Sequence, residues 1–368
     1  MRTAVWRHFD FWLLGAVAVL ITFGLAMISS AIAGNPELIE LDVLGRQITF
    51  AAIGFVVILV SASFDYRLWI SISRVLYAFL FILLLFVVVA GESSFGAQRW
   101  LNIGLVVLQP SELAKITMII ILADFFARNR DAAKDFKWIF RSAISTVALV
   151  ALILAQPNLS TSIVLMTVWF SLLWVSGLEV KHLLMFIFGA LLIAVVSFPL
   201  LEDYQRQRII NFVAPDPEAA LDANYNVTQA LITIGSGGVL GQGYGQSTQV
   251  QLRFLKVRHN DFIFSAIAAE FGLVGAMAVL GVLFFIVWRC VRIAQLSQDT
   301  FGSLIAYGVA VIIALHTIVN VGMNIQVLPV TGLPLPFISA GGSSLLTFMF
   351  GIGLVESVVA RHRALNFS

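Results

Sequence analysis

Apolar residues in this chain come in long blocks, not in the short rhythms of elements half-buried against a soluble core. Ten blocks stand out, at roughly 11–31, 47–63, 72–90, 111–127, 141–156, 160–176, 182–201, 262–288, 303–325 and 342–360. Each approaches the about 20 residues that a helix needs to cross a bilayer's hydrocarbon core. Lipid offers no partners to backbone amides, so spanning segments of this composition must be helical. The pattern predicts an all-α membrane protein, a polytopic bundle of ten transmembrane helices in a single domain over residues 1–368. The polar interval at about 202–261 becomes a large extracytoplasmic loop between the seventh and eighth helices. Within it, Tyr225–Ile234 reads as a short amphipathic helix lying at the interface. The last interval, Gln326 to Gly342, carries three prolines and three glycines. It predicts a segment that re-enters the membrane edge, which irregular backbone can do only where protein or a cavity surrounds it.

Composition narrows the class. Of 368 residues, 60% are hydrophobic and 11% charged, against about a quarter charged in soluble domains. The net charge of +2 is too small for capture of nucleic acid, and no such partner is expected. Cys290 is the single cysteine and no CxxC or HExxH occurs, which excludes an intrachain disulfide and those metal motifs. Arg2 and Arg7 precede an apolar run ending Ala31-Ile32-Ala33, in the manner of a cleavable signal. That run, from Phe11, exceeds the about 7–15 apolar residues of a signal peptide, so it is expected to stay as the first helix. An even number of spans puts both termini on one side. Arg128, Arg130, Lys134, Lys137 and Arg141, with Arg2, Arg7, Arg289, Arg292, Arg361 and Arg363, make that side cytoplasmic.

Fewer cations fall on the other face, and apart from Arg46 they stand in unusual loops: Arg99, Arg206, Arg208, Arg253, Lys256 and Arg258. An anionic ligand would account for them; pairing with Glu202, Asp203, Asp216, Glu218 and Asp222 would account for them equally. Between Tyr225 and Gly275 the chain gathers a glycine run, Gly235 to Gly245, then cations, then His259, Asn260 and Asp261 against the apolar Phe262. Asp261 is either the N-cap of the next helix, a position that favours Asp, or a reactive carboxylate at a membrane edge. Glu270 lies about 180° round that helix, so the two are not an acid–base pair of glycosidase type. It is read as a buried polar contact. Glu112 and Lys115 share one helical face near the outer start of the fourth span, as a mutual ion pair or as a cation kept at depth for function. Asp124 and the mid-span His316 are read as structural. The glycine run follows no strand and is no nucleotide fingerprint. Gly237 and Gly238 could offer N–H groups to a diphosphate, or belong to a plain surface loop.

Together these stretches resemble the SEDS family (shape, elongation, division and sporulation), specifically its RodA type, over almost the full chain. The resemblance is carried by GAQRWLNIG (Gly96–Gly104) with QPSELAK (Gln109–Lys115), by GSGG…HNDFIF (Gly235–Phe264), and by LPVTGLPLPFISAGGSS (Leu328–Ser344). Val330-Thr331-Gly332 and Pro334-Leu335-Pro336 are closer to RodA than to the division paralogue FtsW. The resemblance implies a peptidoglycan glycosyltransferase that polymerises lipid II into β-1,4 glycan on the outer face of the bacterial cytoplasmic membrane during elongation. It implies a class B penicillin-binding protein as transpeptidase partner, with other elongation-machinery membrane proteins and membrane lipid around it. The family's essential aspartate falls on Asp261, as general base, its Glu/Lys pair on Glu112 and Lys115, and its arginine on Arg99. Arg99, Glu112, Lys115, Arg258, His259, Gly237, Gly238 and Ser343 are the residues expected around the substrate and its diphosphate. A divalent cation, Mg or Mn, would suit that diphosphate; no organic cofactor is expected.

The chain departs from the family pattern in four places. Gln156-Pro157-Asn158-Leu159-Ser160-Thr161 stands where the family has QPDLGT, so Asn158 replaces a carboxylate and cannot act as a base. Lys256 replaces a proline, Ala269-Glu270 a double glutamate, and Ala340 the tyrosine of SYGGSS. Two other readings stay open. One is a lipid II flippase, with Glu112, Lys115 and Glu270 along the path; the other is a non-catalytic scaffold for the transpeptidase.

Overall fold

The computed structural model describes residues 9–33, 36–90, 92–94, 97–102, 107–129, 136–200, 206, 210, 225–252, 254–255 and 258–365. Its main helices are α1 (Phe11–Ile32), α2 (Val43–Ser63), α3 (Leu68–Ala90), α4 (Pro110–Arg128), α5 (Phe136–Ala155), α6 (Leu159–Val175), α7 (Val180–Ser197), α8 (Tyr225–Ser236), α9 (Ile263–Leu296), α10 (Thr300–Asn324) and α11 (Gly342–Leu365). Among the described residues, seven helices are long and apolar enough to cross a membrane: α1, α2, α3, α5, α9, α10 and α11. The chain is a polytopic helical membrane protein. Its outer surface agrees, since large apolar side chains face outward: Trp12 is 76% exposed and Phe284 70%. Singly such exposure is ordinary, but round a whole bundle it marks a lipid-facing belt.

Helix α4 is the axis of the packing and touches α3, α5, α6, α10 and α11. Fourteen of its 19 residues are buried, including Glu112, Lys115 and Asp124. A helix surrounded by others can carry polar groups that a lipid-facing one cannot. Asp124 accepts from Arg128 at 2.7 Å and from Ser73 at 2.8 Å, a structural role as expected. At the far end of the bundle Asp10 caps α1 and pairs with Arg289, while its backbone N–H donates to Glu356 at 2.9 Å. These bonds tie the first apolar run into the bundle as one of its helices. Cys290 is fully buried.

The structure corrects the sequence reading in two places. The stretch before α4, read as one of the unusual loops, contains β1 (Glu92–Ser94), β2 (Ala97–Asn102) and β3 (Val107–Leu108) in an antiparallel sheet of order β1-β2-β3. Pairing gives these backbone groups partners at a helix-bundle edge, but strands this short leave no readable period.

The eighth apolar block, read as one helix over 262–288, is broken. Gly272 in α9 has φ 68° and ψ −166°, outside the helical region. The break frees backbone groups, and the glycine run takes them up. Gln242 and Gly243 N–H donate to the carbonyls of Ala269 and Glu270 at 3.0 and 2.9 Å. In return, Leu273 and Val274 N–H donate to Gly238 and Val239 at 3.0 and 3.1 Å. The glycines are thus a splint for a broken helix. At Gly241 two constraints coincide: its φ is +83°, and a Cβ there would overlap the Glu270 carbonyl. Gly241→Ala is expected to cost about 3 kcal/mol, from overpacking and left-handed strain together, and to lower the thermal midpoint in detergent accordingly. Gly235→Ala, with open space around its Cβ, should leave that midpoint unchanged or slightly raised.

Candidate functional site

Helix α9 starts without a local side-chain cap. Its N-cap, Phe262, makes no side-chain capping bond. Instead Asn324 on α10 accepts the Ser265 N–H at 3.2 Å and the Ser265 hydroxyl at 2.6 Å. The capping role open to Asp261 in the sequence is filled from another helix. Two amides on α10 hold Asp261 by its backbone: Asn320 and Asn324 each donate to its carbonyl at 3.1 Å. The carboxylate faces the turn at Gly332, where an added Cβ would lie 3.7 Å from Oδ2.

That turn belongs to the irregular segment 326–341, which is seated inside the protein. Leu335, Phe337 and Ile338 are buried. Glycine at position 24 lets α1 approach it, since a Cβ there would sit 2.7 Å from the Ile338 Cα. Ser339 donates to the Asn260 carbonyl at 2.8 Å and Ala340 N–H to that of His259 at 3.0 Å. Gln47 reads the same turn from α2, donating to Ser339 O and accepting from Gly341 N–H. Irregular backbone at membrane depth is stable when protein satisfies it in this way.

The segment also reaches the cation expected from sequence. Asn320 donates to Leu333 O at 2.8 Å, and His316 Nδ1 lies 3.2 Å from Pro334 O. A carbonyl only accepts, so Nδ1 carries the proton and Nε2 presents its lone pair. Nε2 faces Lys115 Nζ at 3.2 Å, and Lys115 pairs with Glu112 at 2.7 Å over the ring of Phe348. Lys115 is 0% exposed. Asp261 and the Glu112–Lys115 pair are therefore linked through one short turn, Gly332 to Pro334.

Other expected residues stand differently. Arg258 is buried and given to structure: Nε donates to Ala31 O at 2.5 Å and an Nη to Leu255 O at 3.4 Å. Two of its nitrogens are thus engaged by backbone carbonyls, one of them at the end of α1. His259 has its pKa lowered below 6.5 by burial and by the charge of Arg258, so it is neutral at pH 7 and no standing cation. Gly237 and Gly238 are engaged within the backbone. Their N–H groups already donate to Ile234 and Gly235, and a Cβ on Gly237 would overlap Ala268. Ser343 accepts the N–H of Gln109 at 3.3 Å, tying the start of α11 to that of α4. Arg99 lies in β2 with its side chain outside those described, and Arg208, Arg253 and Lys256 lie outside the described residues.

Asn158 caps α6: its Oδ1 accepts from Thr161 N–H at 3.2 Å and its amide donates to Ser111 at 3.3 Å. An aspartate would cap equally well and accept a hydrogen bond from the Ser111 hydroxyl instead. Glu270 is the expected buried contact, accepting from Ser30. Among the described residues no three His, Cys, Asp or Glu side chains gather as a metal cage. The described side chains do not by themselves build an Mg or Mn site. Asn320 and Asn324 were missed in the sequence. Their signal was there: with His316 they put three polar residues at four-residue steps in an apolar helix.

Comparison with known proteins agrees with this architecture. The family model described as Cell cycle protein, for FtsW, RodA and SpoVE, matches residues 11–364. The chain is 36% identical to the peptidoglycan glycosyltransferase MrdB of Escherichia coli K12 over 354 residues, 95% of this chain and 94% of that one. It is 33% identical to MrdB of Helicobacter pylori over 374 residues, 97% and 91% of the two chains. Its fold is similar to that of the rod shape determining protein RodA of Thermus thermophilus, at TM-score 0.72 and 29% identity over 97% and 98% of the chains. A chain of a solved peptidoglycan synthase complex, described as coordinating polymerization and crosslinking, is similar at TM-score 0.82 and 29% identity over 96% and 98%. With nearly its whole length matched and relatives above 30% identity, the chain belongs to the FtsW/RodA/SpoVE family of cell cycle proteins.

Proposed function

We propose that this chain is a peptidoglycan glycosyltransferase that polymerises lipid II, with Asp261 as the general base. The observation that carries the base assignment is the placement of Asp261: Asn320 and Asn324 hold its backbone carbonyl, and its carboxylate stands at the Gly332 turn. Asp261 takes the proton of the acceptor sugar's 4-hydroxyl as its oxygen attacks the donor's anomeric carbon. The bond to the lipid diphosphate breaks on the opposite face, so an α-linked donor gives a β-1,4 product. A diphosphate leaves without needing a proton, so one carboxylate suffices where a hydrolase needs two. Lys115, beside the same turn, supplies positive potential for the charge that develops on the diphosphate, and Arg99 in β2 is a second candidate.

In this reading the chain crosses the bacterial cytoplasmic membrane ten times with both termini inside, the three spans beyond the seven apolar ones being α4, α6 and α7. The Asp261 end then faces outward, together with the loop at about 202–261. The relatives named glycosyltransferase and the neighbour in a synthase complex support a class B penicillin-binding protein as partner. The test is polymerisation of purified lipid II by the full chain with that transpeptidase, the latter blocked by a β-lactam, beside a lipid-translocation assay in vesicles. Long glycan strands support the enzyme. Translocation without strands would replace it by the flippase reading.

A further inference from the structure

Helix α10 carries His316, Asn320 and Asn324 on one face, and all three are 0% exposed. Burying three polar side chains in an apolar helix is costly unless each finds partners. Here the partners are backbone groups that meet at one place. His316 holds Pro334, Asn320 holds Leu333 and Asp261, and Asn324 holds Asp261 and the first turn of α9. Asn324 also donates to the Asn320 carbonyl at 2.8 Å, so the two amides are locked to each other.

Capping α9 needs one side-chain acceptor, and Asn324 Oδ1 supplies it. The remaining donors do something that a cap does not require. They place two N–H groups on a single carbonyl, that of Asp261, using both its lone pairs. The peptide plane after Asp261 cannot turn without losing both bonds, so the Cα from which the side chain projects is held in place. Asn320 shares its amide between this carbonyl and Leu333, next to Gly332, and so fixes the carboxylate's residue against the turn that the carboxylate faces.

We propose that Asn320 and Asn324 are positioning residues for the polymerisation reaction, aiming the Asp261 carboxylate by clamping its carbonyl to α10. The inference rests on Asp261 acting as the base. Neither amide is placed to bind substrate, since both are buried and spent on backbone carbonyls. Misplacing a reacting group by about 1 Å can cost about 100-fold in rate. The clamp should therefore act on kcat and leave KM alone.

The experiment is steady-state polymerisation of lipid II by the full chain with its transpeptidase partner under β-lactam, for wild type, Asn320→Leu, Asn320→His, Asn324→Ser and Asp261→Ala. Asn320→Leu removes the shared donor at similar volume, while Asn320→His returns a ring N–H. We expect Asn320→Leu to lower kcat about 100-fold with KM within about twofold, and Asn320→His to recover about tenfold of that loss. Asn324→Ser should lose about tenfold in kcat. It decides the matter if Asn320→Leu does not elute as a folded protein on gel filtration. A kcat near wild type in whichever of these two variants is folded overturns the inference, as does a loss confined to KM. Asp261→Ala separates the failures. If it polymerises normally, the base assignment falls; if it is silent while the asparagine variants are normal, only the clamp falls.

Discussion

Asp261→Asn should lower glycan polymerisation by about 10²–10⁴-fold, the range that general-base assistance contributes. The amide keeps the size and hydrogen-bonding shape of the side chain but cannot take a proton at neutral pH. Folding should be nearly untouched, for a reason specific to this structure. Two bonds from α10 hold residue 261 by its backbone carbonyl, and Asn324 accepts from the first turn of α9. Neither uses the carboxylate. Had Asp261 been the helix cap, its loss would have cost about 1 kcal/mol. The check is the rate of strand formation from lipid II alongside the thermal midpoint in the same detergent. A dead variant with an unmoved midpoint is the expected pair of results. A variant that makes strands at the normal rate would return the search for a base to Glu112.

Much of this architecture could be read from hydropathy alone because lipid imposes it. A spanning backbone must be helical and apolar, so blocks such as those that became α1, α3 and α10 announce themselves. The site was legible in its residue types and not in its wiring. Asp261, Glu112 and Lys115 stand out as charges at the ends of apolar blocks, a local signal. That Lys115 leans on His316, and His316 on Pro334, is a long-range fact that no spacing encodes. The glycine run misled for a related reason. Glycine permits close approach to an anion or to another backbone, and sequence does not say which. Here it was the backbone of α9 at Gly272, a break hidden because the apolar block runs through it without a proline. Arg258 likewise has a contact that the sequence does not show, with the Ala31 carbonyl at the end of α1.

Lys115 poses the sharpest question about structure against function, and a double substitution answers it. The pair it forms with Glu112 is buried, at 0% and 6% exposure of the two residues. Removing one member leaves the other as an uncompensated charge, so Lys115→Met should cost about 3–5 kcal/mol of stability. Adding Glu112→Gln removes that stranded charge. Replacing both members of a buried pair is often neutral, so the double variant should regain most of the lost midpoint. His316 keeps its bond to Pro334 in either case, and the turn beside Asp261 keeps its seat. If the pair exists only to neutralise itself, polymerisation should return together with stability. If Lys115 supplies the field that steadies the departing diphosphate, the double variant will be stable and remain slow, by about 10²–10³-fold as for other lost electrostatic donors. The second outcome is expected, because a helix at the centre of this bundle would hold an apolar pair at least as well as an ionic one. Recovery of both stability and rate in Lys115→Met/Glu112→Gln would show that the cation is structural and leave Arg99 as the residue to test for the diphosphate.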